Sequence, residues 1–304
     1  MSLNISTACC RFVTCTTDRR LTLPRTGRVT TERSTKLTKL VCANAVFYVT
    51  YNGIGDYHGA TPSDWLQELA SQTNLGQMTF GEVVNRTRDI VDQRIGVMRD
   101  VPNPRHTFVF VGVVNGTPAF AFVSNYETLE KSGHQPVAEP QFLVSVLEPQ
   151  PLAENPVAVV ITGDTGSFDP TALEQAKEKI LRDIKGGVPA LRIKNCCVKI
   201  IRDGSLGSRK TGSIGSSALW GIIEIETGRS EEGLDVIGGT DVSELPNLIT
   251  PVFSIKDAFV ATGDFEGLRR RELRCPNCRQ LAPVGFHKCP ACCAPLPQPW
   301  RAQD

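Results

Sequence analysis

The stretch MSLNISTACCRFVTCTTDRR forms residues 1–20, and KLTKLVCANAVFYVTYNGIGD follows at residues 36–56. The first stretch contains two short runs rich in β-branched residues, which is typical of β-strands. The second begins with a lysine and passes through an apolar run from Val41 to Val49 to a turn with two glycines. The chain therefore presents a serine, an aspartate, a lysine, a strand and a glycine turn, in that order.

This order resembles the β-type proteasome subunits and their bacterial relatives among the N-terminal-nucleophile hydrolases. The interval from Ser2 to Asp18 equals the interval in that family. The resemblance implies that the chain terminus is itself the active site. It also implies an α+β fold, a four-layer α-β-β-α sandwich over residues 2–264.

The resemblance assigns a chemical role to each residue of the pattern. Removal of Met1, expected because the next residue is small, makes Ser2 the first residue. Its α-amine can act as the base for its own hydroxyl, because an α-amine with a pKa of about 7.7–8.0 is partly neutral at neutral pH. The ammonium of Lys36 would favour that neutral form, and Asp18 would hold the lysine. Backbone N–H groups around Gly53 would form the oxyanion hole.

Three positions of the family pattern are matched less well. Lys39 is the alternative to Lys36, because it fits the distance to the glycine turn better but the local Lys-Leu pattern less well. Thr165, within residues 163–167, is an accessory candidate for a hydroxyl after the glycine strand. Ser213 or Ser216 is the candidate for a later serine, but no aspartate stands three residues before either. In the family that carboxylate helps to orient the terminal amine.

The remaining sequence favours alternating groups of strands and helices. Helix signals begin at residues 61–64, 79 and 170, and strand signals occur at residues 107–114, 119–123, 141–146 and 157–162. Residues 197–202 and 218–225 read as a further strand pair. This order suits a sandwich of helices and sheets and not a doubly wound parallel sheet.

Composition indicates a protein with a sizeable core. The chain has 304 residues, of which 40% are hydrophobic and 21% charged, so one large and one small domain are expected. The net charge of +1 argues against nucleic acid or an anionic membrane as a partner. No apolar run has the length of a membrane span, and no secretory signal is evident. We therefore expect a cytoplasmic protein in which the eleven cysteines are thiols or metal ligands.

Four cysteines near the end of the chain form a second pattern. Cys275 and Cys278, and then Cys289 and Cys292, form two Cys-x2-Cys pairs separated by ten residues. Four thiolates at this spacing can close a tetrahedron around a structural Zn²⁺ ion. The alternatives are a redox Cys-x2-Cys, or His287 as a substitute ligand. The sequence thus predicts a zinc ribbon over residues 265–304, whose folding free energy comes largely from the metal.

The functional hypothesis is an amidohydrolase or peptidase that forms an acyl-enzyme on Ser2. Its substrate would be a peptide or protein. The resemblance implies a homo-oligomer, because members of that family assemble into rings. It also implies an ATP-dependent unfoldase as partner. The competing hypothesis is a catalytically inactive assembly or adaptor module whose ribbon recognises a protein or nucleic acid. A third is nucleic-acid binding through the basic residues 269–271, which the scarcity of aromatic residues there argues against.

Overall fold

The computed structural model describes residues 3–22, 29–31, 36–57, 60–72, 74–98, 100–127, 138–147, 157–163, 165–207, 214–215, 217–236, 252–255, 258–262, 272–274 and 281–283. Several residues singled out by the sequence lie outside these ranges: Ser2, Ser213, Ser216, Cys275, Cys278, Cys289 and Cys292.

The described residues form four α-helices and a larger number of strands. The helices are α1 (Pro62–Gln72), α2 (Phe80–Gly96), α3 (Pro170–Lys185) and α4 (Ala190–Gly207). The strands are β1 (Leu3–Ala8), β2 (Phe12–Asp18), β3 (Leu21–Thr22), β4 (Val29–Thr31), β5 (Thr38–Cys42), β6 (Ala45–Gly53), β7 (His106–Val114), β8 (Thr117–Ser124), β9 (Leu143–Leu147), β10 (Ala158–Gly163), β11 (Ser217–Glu224), β12 (Ser230–Val236), β13 (Val252–Ile255), β14 (Ala258–Thr262), β15 (Glu272–Arg274) and β16 (Leu281–Pro283).

Most strands belong to two antiparallel sheets. The smaller sheet has the order β10-β1-β2-β11-β12, and the larger has the order β13-β14-β5-β6-β7-β8-β9. Strands β5 to β9 form a simple meander, in which each strand pairs with the next. Strands β3–β4 and β15–β16 form two separate small pairs. The chain therefore has the mixed α and β content that the sequence predicted.

Local sequence explains where two of the helices begin. The side chain of Thr79 caps α2 by accepting the backbone N–H of Glu82, whose carboxylate in turn accepts the backbone N–H of Thr79. This reciprocal arrangement is a capping box, which satisfies two backbone donors at once. Helix α3 begins in another way, because Asp169 caps it and Pro170 occupies its first turn.

Three hydrophobic clusters define the layers. In one, α1 and α2 pack on the larger sheet through residues such as Leu66, Val84 and Phe108. In the second, α3 and α4 pack on the smaller sheet through residues such as Ile180 and Ile5. The third lies between the sheets: Ala8, Val13, Cys15, Leu37, Tyr48, Val111, Phe120, Leu219 and Ile223. Side chains alternate between the two faces of a strand, so β1 and β2 contribute to both of the last two clusters.

Two local predictions were wrong. The apolar run from Val41 to Val49 is a hairpin and not one strand, because β5 ends at Cys42 and β6 begins at Ala45. Residues 197–202, read as a strand because of their β-branched residues, lie inside α4. The apolar residues Ile193, Cys197 and Ile201 recur every four positions and pack against the smaller sheet. Helical periodicity thus outweighs β-propensity in this segment.

Two predictions remain, one on the domain boundary and one on membrane spans. Strand β14, which ends at Thr262, pairs with β5 in the larger sheet. The domain boundary at residues 264–265 stays a prediction. Within the described part of the chain, no helix combines the length and the apolar content needed to cross a membrane.

Candidate active site

The carboxylate of Asp18 collects hydrogen bonds from several segments of the chain. Asp18 is the last residue of β2 and is fully buried. Its Oδ2 accepts the backbone N–H of Leu3 at 2.7 Å. Its Oδ1 accepts the backbone N–H groups of Arg20 at 2.9 Å and Gly215 at 3.2 Å, and the Nζ of Lys36 at 3.3 Å. The carboxylate thus fixes the start of β1 relative to the lysine.

The ion pair between Asp18 and Lys36 is buried on both sides. The Lys36 side chain is 2% exposed and that of Asp18 is 0% exposed. Lys36 lies two residues before β5, at the entrance to the larger sheet, whereas Asp18 ends a strand of the smaller one. The pair therefore crosses from one sheet to the other. Removing one partner of such a pair takes the opposite charge away from a buried charged group, which is strongly destabilising.

Lys39, the alternative lysine, lies elsewhere. Its Nζ donates to the Oγ of Ser230 and lies 3.2 Å from Oε1 of Glu232, and both of these residues are on β12. The hydroxyl of Tyr48 donates to the same carboxylate oxygen at 2.8 Å. Of the two candidate lysines, the structure thus brings Lys36, and not Lys39, to Asp18.

Gly53 occupies a backbone position that requires glycine. It is the last residue of β6, with a φ of 103°, and it pairs with His106 of β7. A Cβ atom at this position would lie 2.2 Å from the carbonyl oxygen of Arg105. Residues with side chains rarely adopt this conformation, and here the space is also filled. Next to Gly53, the backbone N–H of Ile54 donates to Nδ1 of His106 at 3.1 Å.

A buried polar network, which sequence reasoning missed, links Gly53 to the smaller sheet. Asn52 donates from Nδ2 to Oγ1 of Thr162 at 2.9 Å. Its Oδ1 accepts the hydroxyl of Tyr126 at 2.9 Å. Asn52 precedes Gly53 on β6 and Thr162 precedes Gly163 on β10, so the network holds the ends of these two strands together. No short sequence motif signals it, because its members are far apart along the chain.

The end of β10 lies beside the beginning of β1. In the sheet register, Gly163 is opposite Leu3. Thr165, the accessory candidate, begins a short 3-10 helix two residues later and is partly exposed. Glu127, a residue without a role in the sequence analysis, accepts the backbone N–H of Gly163 at 3.3 Å. Asp18, Lys36 and Gly163 are therefore connected to the start of β1 directly or through one residue. Gly53 is connected to it through Asn52 and Thr162.

The buried thiols near the centre of the smaller sheet are poor nucleophiles. Burial raises the pKa of Cys15 to about 11, and burial likewise raises the pKa of Cys197. A thiol in this environment remains protonated at neutral pH, whereas the thiolate is the reactive form. The described residues also contain no group of three or more His, Cys, Asp or Glu side chains placed to hold a metal ion.

Comparison with known proteins finds solved structures with a similar fold. No protein-family model and no curated protein matches the chain. Among solved structures, it is similar to an Anbu Gly-1 mutant from Hyphomicrobium sp. strain MC1, with 15% identity and a TM-score of 0.50 over 81% of this chain and 92% of that chain. It is also similar to Anbu from Yersinia bercovieri, described as an ancestral beta-subunit, with 14% identity and a TM-score of 0.48 over 76% of this chain and 86% of that chain. A helical Anbu assembly from Pseudomonas aeruginosa has 13% identity and a TM-score of 0.49 over 79% of this chain and 89% of that chain. The likeness to the Hyphomicrobium protein shows a shared fold.

These findings correct the resemblance inferred from the sequence. The identification of the chain as a proteasome β-subunit-like N-terminal-nucleophile hydrolase with a C-terminal zinc ribbon is wrong in that form. The similar structure from Hyphomicrobium is an Anbu protein, and the comparison shows no zinc ribbon. The α+β fold stands.

The buried ion pair gives a prediction about stability. Lys36→Met should lower the free energy of unfolding by about 3–5 kcal/mol, because the Asp18 carboxylate stays buried without its ammonium partner. Lys39→Met is the matched control, because its partner Glu232 is 26% exposed. This variant should lose no more than about 1 kcal/mol of the free energy of unfolding. Urea unfolding of both variants measures the difference. Equal losses would contradict the buried pairing.

Buried His106 gives a prediction about pH. Burial lowers the pKa of His106 from 6.5 to about 3, because the charged imidazolium is disfavoured in an apolar environment. Below pH 6.5 the unfolded chain therefore binds a proton that the folded protein does not, so stability falls as the pH drops from about 6.5 toward 3. Between pH 7 and pH 5 the loss should be about 2 kcal/mol.

Urea unfolding of wild type and His106→Gln at pH 7 and pH 5 tests this assignment. The wild type should lose about 2 kcal/mol more than the variant over this range, because the variant lacks the imidazole. The comparison uses only the change with pH, so a general destabilisation by the substitution does not affect it. If both proteins lose the same amount, His106 titrates normally in the folded state.

Proposed function

We propose that this chain is an N-terminal-nucleophile amidohydrolase or peptidase that acts through Ser2 after removal of Met1. The observation that carries the proposal is the Asp18 carboxylate, which binds both the backbone N–H of Leu3 and the Nζ of Lys36. Ser2 is joined directly to Leu3. The hydroxyl and the α-amine of Ser2 are thereby expected near the buried ammonium of Lys36.

The reaction would have two halves. The α-amine of Ser2 takes the proton from its own hydroxyl, and Oγ attacks the carbonyl carbon of an amide substrate. The tetrahedral intermediate collapses when the α-ammonium gives that proton to the departing amine, which leaves an ester on Ser2. A water molecule then attacks the ester, with the α-amine accepting its proton. Return of that proton to Oγ releases the carboxylic acid and restores the enzyme.

Lys36 and Gly53 would contribute electrostatic stabilisation. The ammonium of Lys36 favours the developing charge on Oγ, and Asp18 keeps this ammonium in position. The backbone N–H of Gly53, at the end of β6, would stabilise the oxyanion. The network of Asn52, Tyr126 and Thr162 supports this end of β6. A rigid hydrogen-bond donor stabilises the transition state more than a mobile one, because it needs no reorganisation during the reaction.

The second candidate is an assembly or adaptor module without catalytic activity. Its recognition element would be the cysteine-rich segment at residues 265–304, where we propose a structural Zn²⁺ bound by Cys275, Cys278, Cys289 and Cys292. One observation supports this metal site: β15 and β16 pair as a hairpin, and their connection contains the first Cys-x2-Cys. Homo-oligomerisation and an ATP-dependent unfoldase partner remain predictions from the sequence.

A covalent probe tests the proposed nucleophile. Wild-type protein treated with a peptide epoxyketone or a β-lactone should gain one adduct in its intact mass, and peptide mapping should place the adduct on Ser2. Ser2→Ala should gain none, while the matched control Ser6→Ala, which alters a buried serine of β1, should react like the wild type. Reaction of Ser2→Ala at the wild-type rate would contradict the proposal. A wild type that never reacts would favour the adaptor.

Metal analysis tests the proposed zinc site. The purified protein should contain about one Zn²⁺ per chain, because four thiolates fill all positions of a structural site. Cys275→Ser and Cys289→Ser should each lower the bound zinc markedly. Cys10→Ser is the control, since Cys10 is an exposed cysteine of the sandwich. A protein without zinc after purification in zinc-containing buffer would exclude the site.

A further inference from the structure

Strand β9 forms one edge of the larger sheet and carries no charged residue. Among the described strands it pairs with β8 alone, on one side. An edge strand offers backbone N–H and C=O groups to any further strand, and natural edges are usually protected by charges or prolines. The sequence of β9, Leu-Val-Ser-Val-Leu, has neither. Strand β12, at an edge of the smaller sheet, instead contains Glu231, Glu232 and Asp235.

Apolar side chains of β9 are half exposed at this edge. Leu143 is 54% exposed and Val146 is 48% exposed. In the register with β8, Val146 lies opposite Ala121 and Val144 lies opposite Val123. Ala121 and Val123 belong to the hydrophobic cluster beneath α1 and α2, and Val144 packs against it. Val146 thus extends this apolar layer to the edge of the sheet, where a further strand would cover it.

The sequence of β9 reads the same in both directions around Ser145. When two copies pair antiparallel about a two-fold axis at this residue, serine lies opposite serine, and Val144 lies opposite Val146 of the second copy. Pairs of β-branched residues stabilise a sheet, and no like charges meet. The same patch serves both copies, so the contact closes as a dimer. Edge strands β10 and β13 are also uncharged, but their sequences, AVVITG and VFSI, differ between the two directions.

We propose that β9 is an interface strand, through which two copies of this chain pair antiparallel about a two-fold axis at Ser145. The two larger sheets then form one continuous antiparallel sheet, and the edge of each copy is covered by the other. The inference goes beyond the proposed reaction and does not depend on it. It gives a surface to the homo-oligomer that the sequence predicts.

A cysteine at the two-fold axis tests the pairing and its register. Ser145→Cys places two thiols opposite each other, with Cα atoms about 4.5–5.5 Å apart, a separation that a disulfide spans. Oxidation by copper phenanthroline should produce a covalent dimer, in which peptide mapping finds residue 145 joined to residue 145. Mapping separates this link from links of native cysteines such as the exposed Cys10. In the matched control Leu143→Cys, the two thiols would lie four residues apart, about 14 Å, beyond the reach of a disulfide.

A charge at the same position tests the contact without a cross-link. In Ser145→Lys two ammonium groups would face each other across the axis, and like charges directly opposite destabilise a strand pair. Sedimentation velocity over a range of concentrations should give a Kd of the dimer roughly fivefold higher than that of the wild type, or more. Ser145→Thr, which adds a methyl group but no charge, should keep the wild-type Kd. Ser145 is partly exposed, so neither substitution should unfold the chain.

The outcomes decide the inference apart from the proposed function. A disulfide between the two copies of residue 145, absent from Leu143→Cys, together with a weaker dimer in Ser145→Lys, supports the interface. Equal cross-linking of the two cysteine variants would reflect random collision and would overturn it. A wild type that stays monomeric at every concentration, or a dimer that Ser145→Lys leaves unchanged, would also overturn it. None of these measurements depends on the reactivity of Ser2.

Discussion

The Asp18 carboxylate is the interaction on which the rest of the site depends. It accepts the backbone N–H of Leu3, the backbone N–H of Gly215 and the ammonium of Lys36, which belong to three distant segments of the chain. A buried carboxylate is stable only when its lone pairs are used in this way. The same group thus joins the two sheets and fixes the start of β1 relative to the ammonium of Lys36.

The sequence contained most of this arrangement, because Leu3, Asp18 and Lys36 lie near one another at the start of the chain. The interval between Ser2 and Asp18 is that of two antiparallel strands joined by a tight turn, and β1 and β2 have this form. The choice between Lys36 and Lys39 was beyond the sequence. Both flank the start of β5, and only the packing of β5 against the smaller sheet decides that the first meets Asp18 and the second meets Glu232.

The contacts that sequence reasoning missed are those between distant segments. Asn52 meets Thr162 and Tyr126 only because the ends of β6, β8 and β10 converge, and no local pattern marks this convergence. Glu127 was missed for the same reason, since a single glutamate after a strand is normally a solvated turn residue. The strand assigned to residues 197–202 was wrong because β-branched residues are frequent in that amphipathic helix. Tertiary packing decides such cases.

The identity of the mature amino terminus tests the central claim most directly. Catalysis through Ser2 requires the α-amine to belong to Ser2, next to the residue whose N–H binds Asp18. The intact mass of the untagged protein should therefore be that of the full chain without its first methionine. A protein that retains Met1 would carry its amine one residue away from the Asp18–Lys36 pair, with Ser2 inside the chain, and would contradict the account.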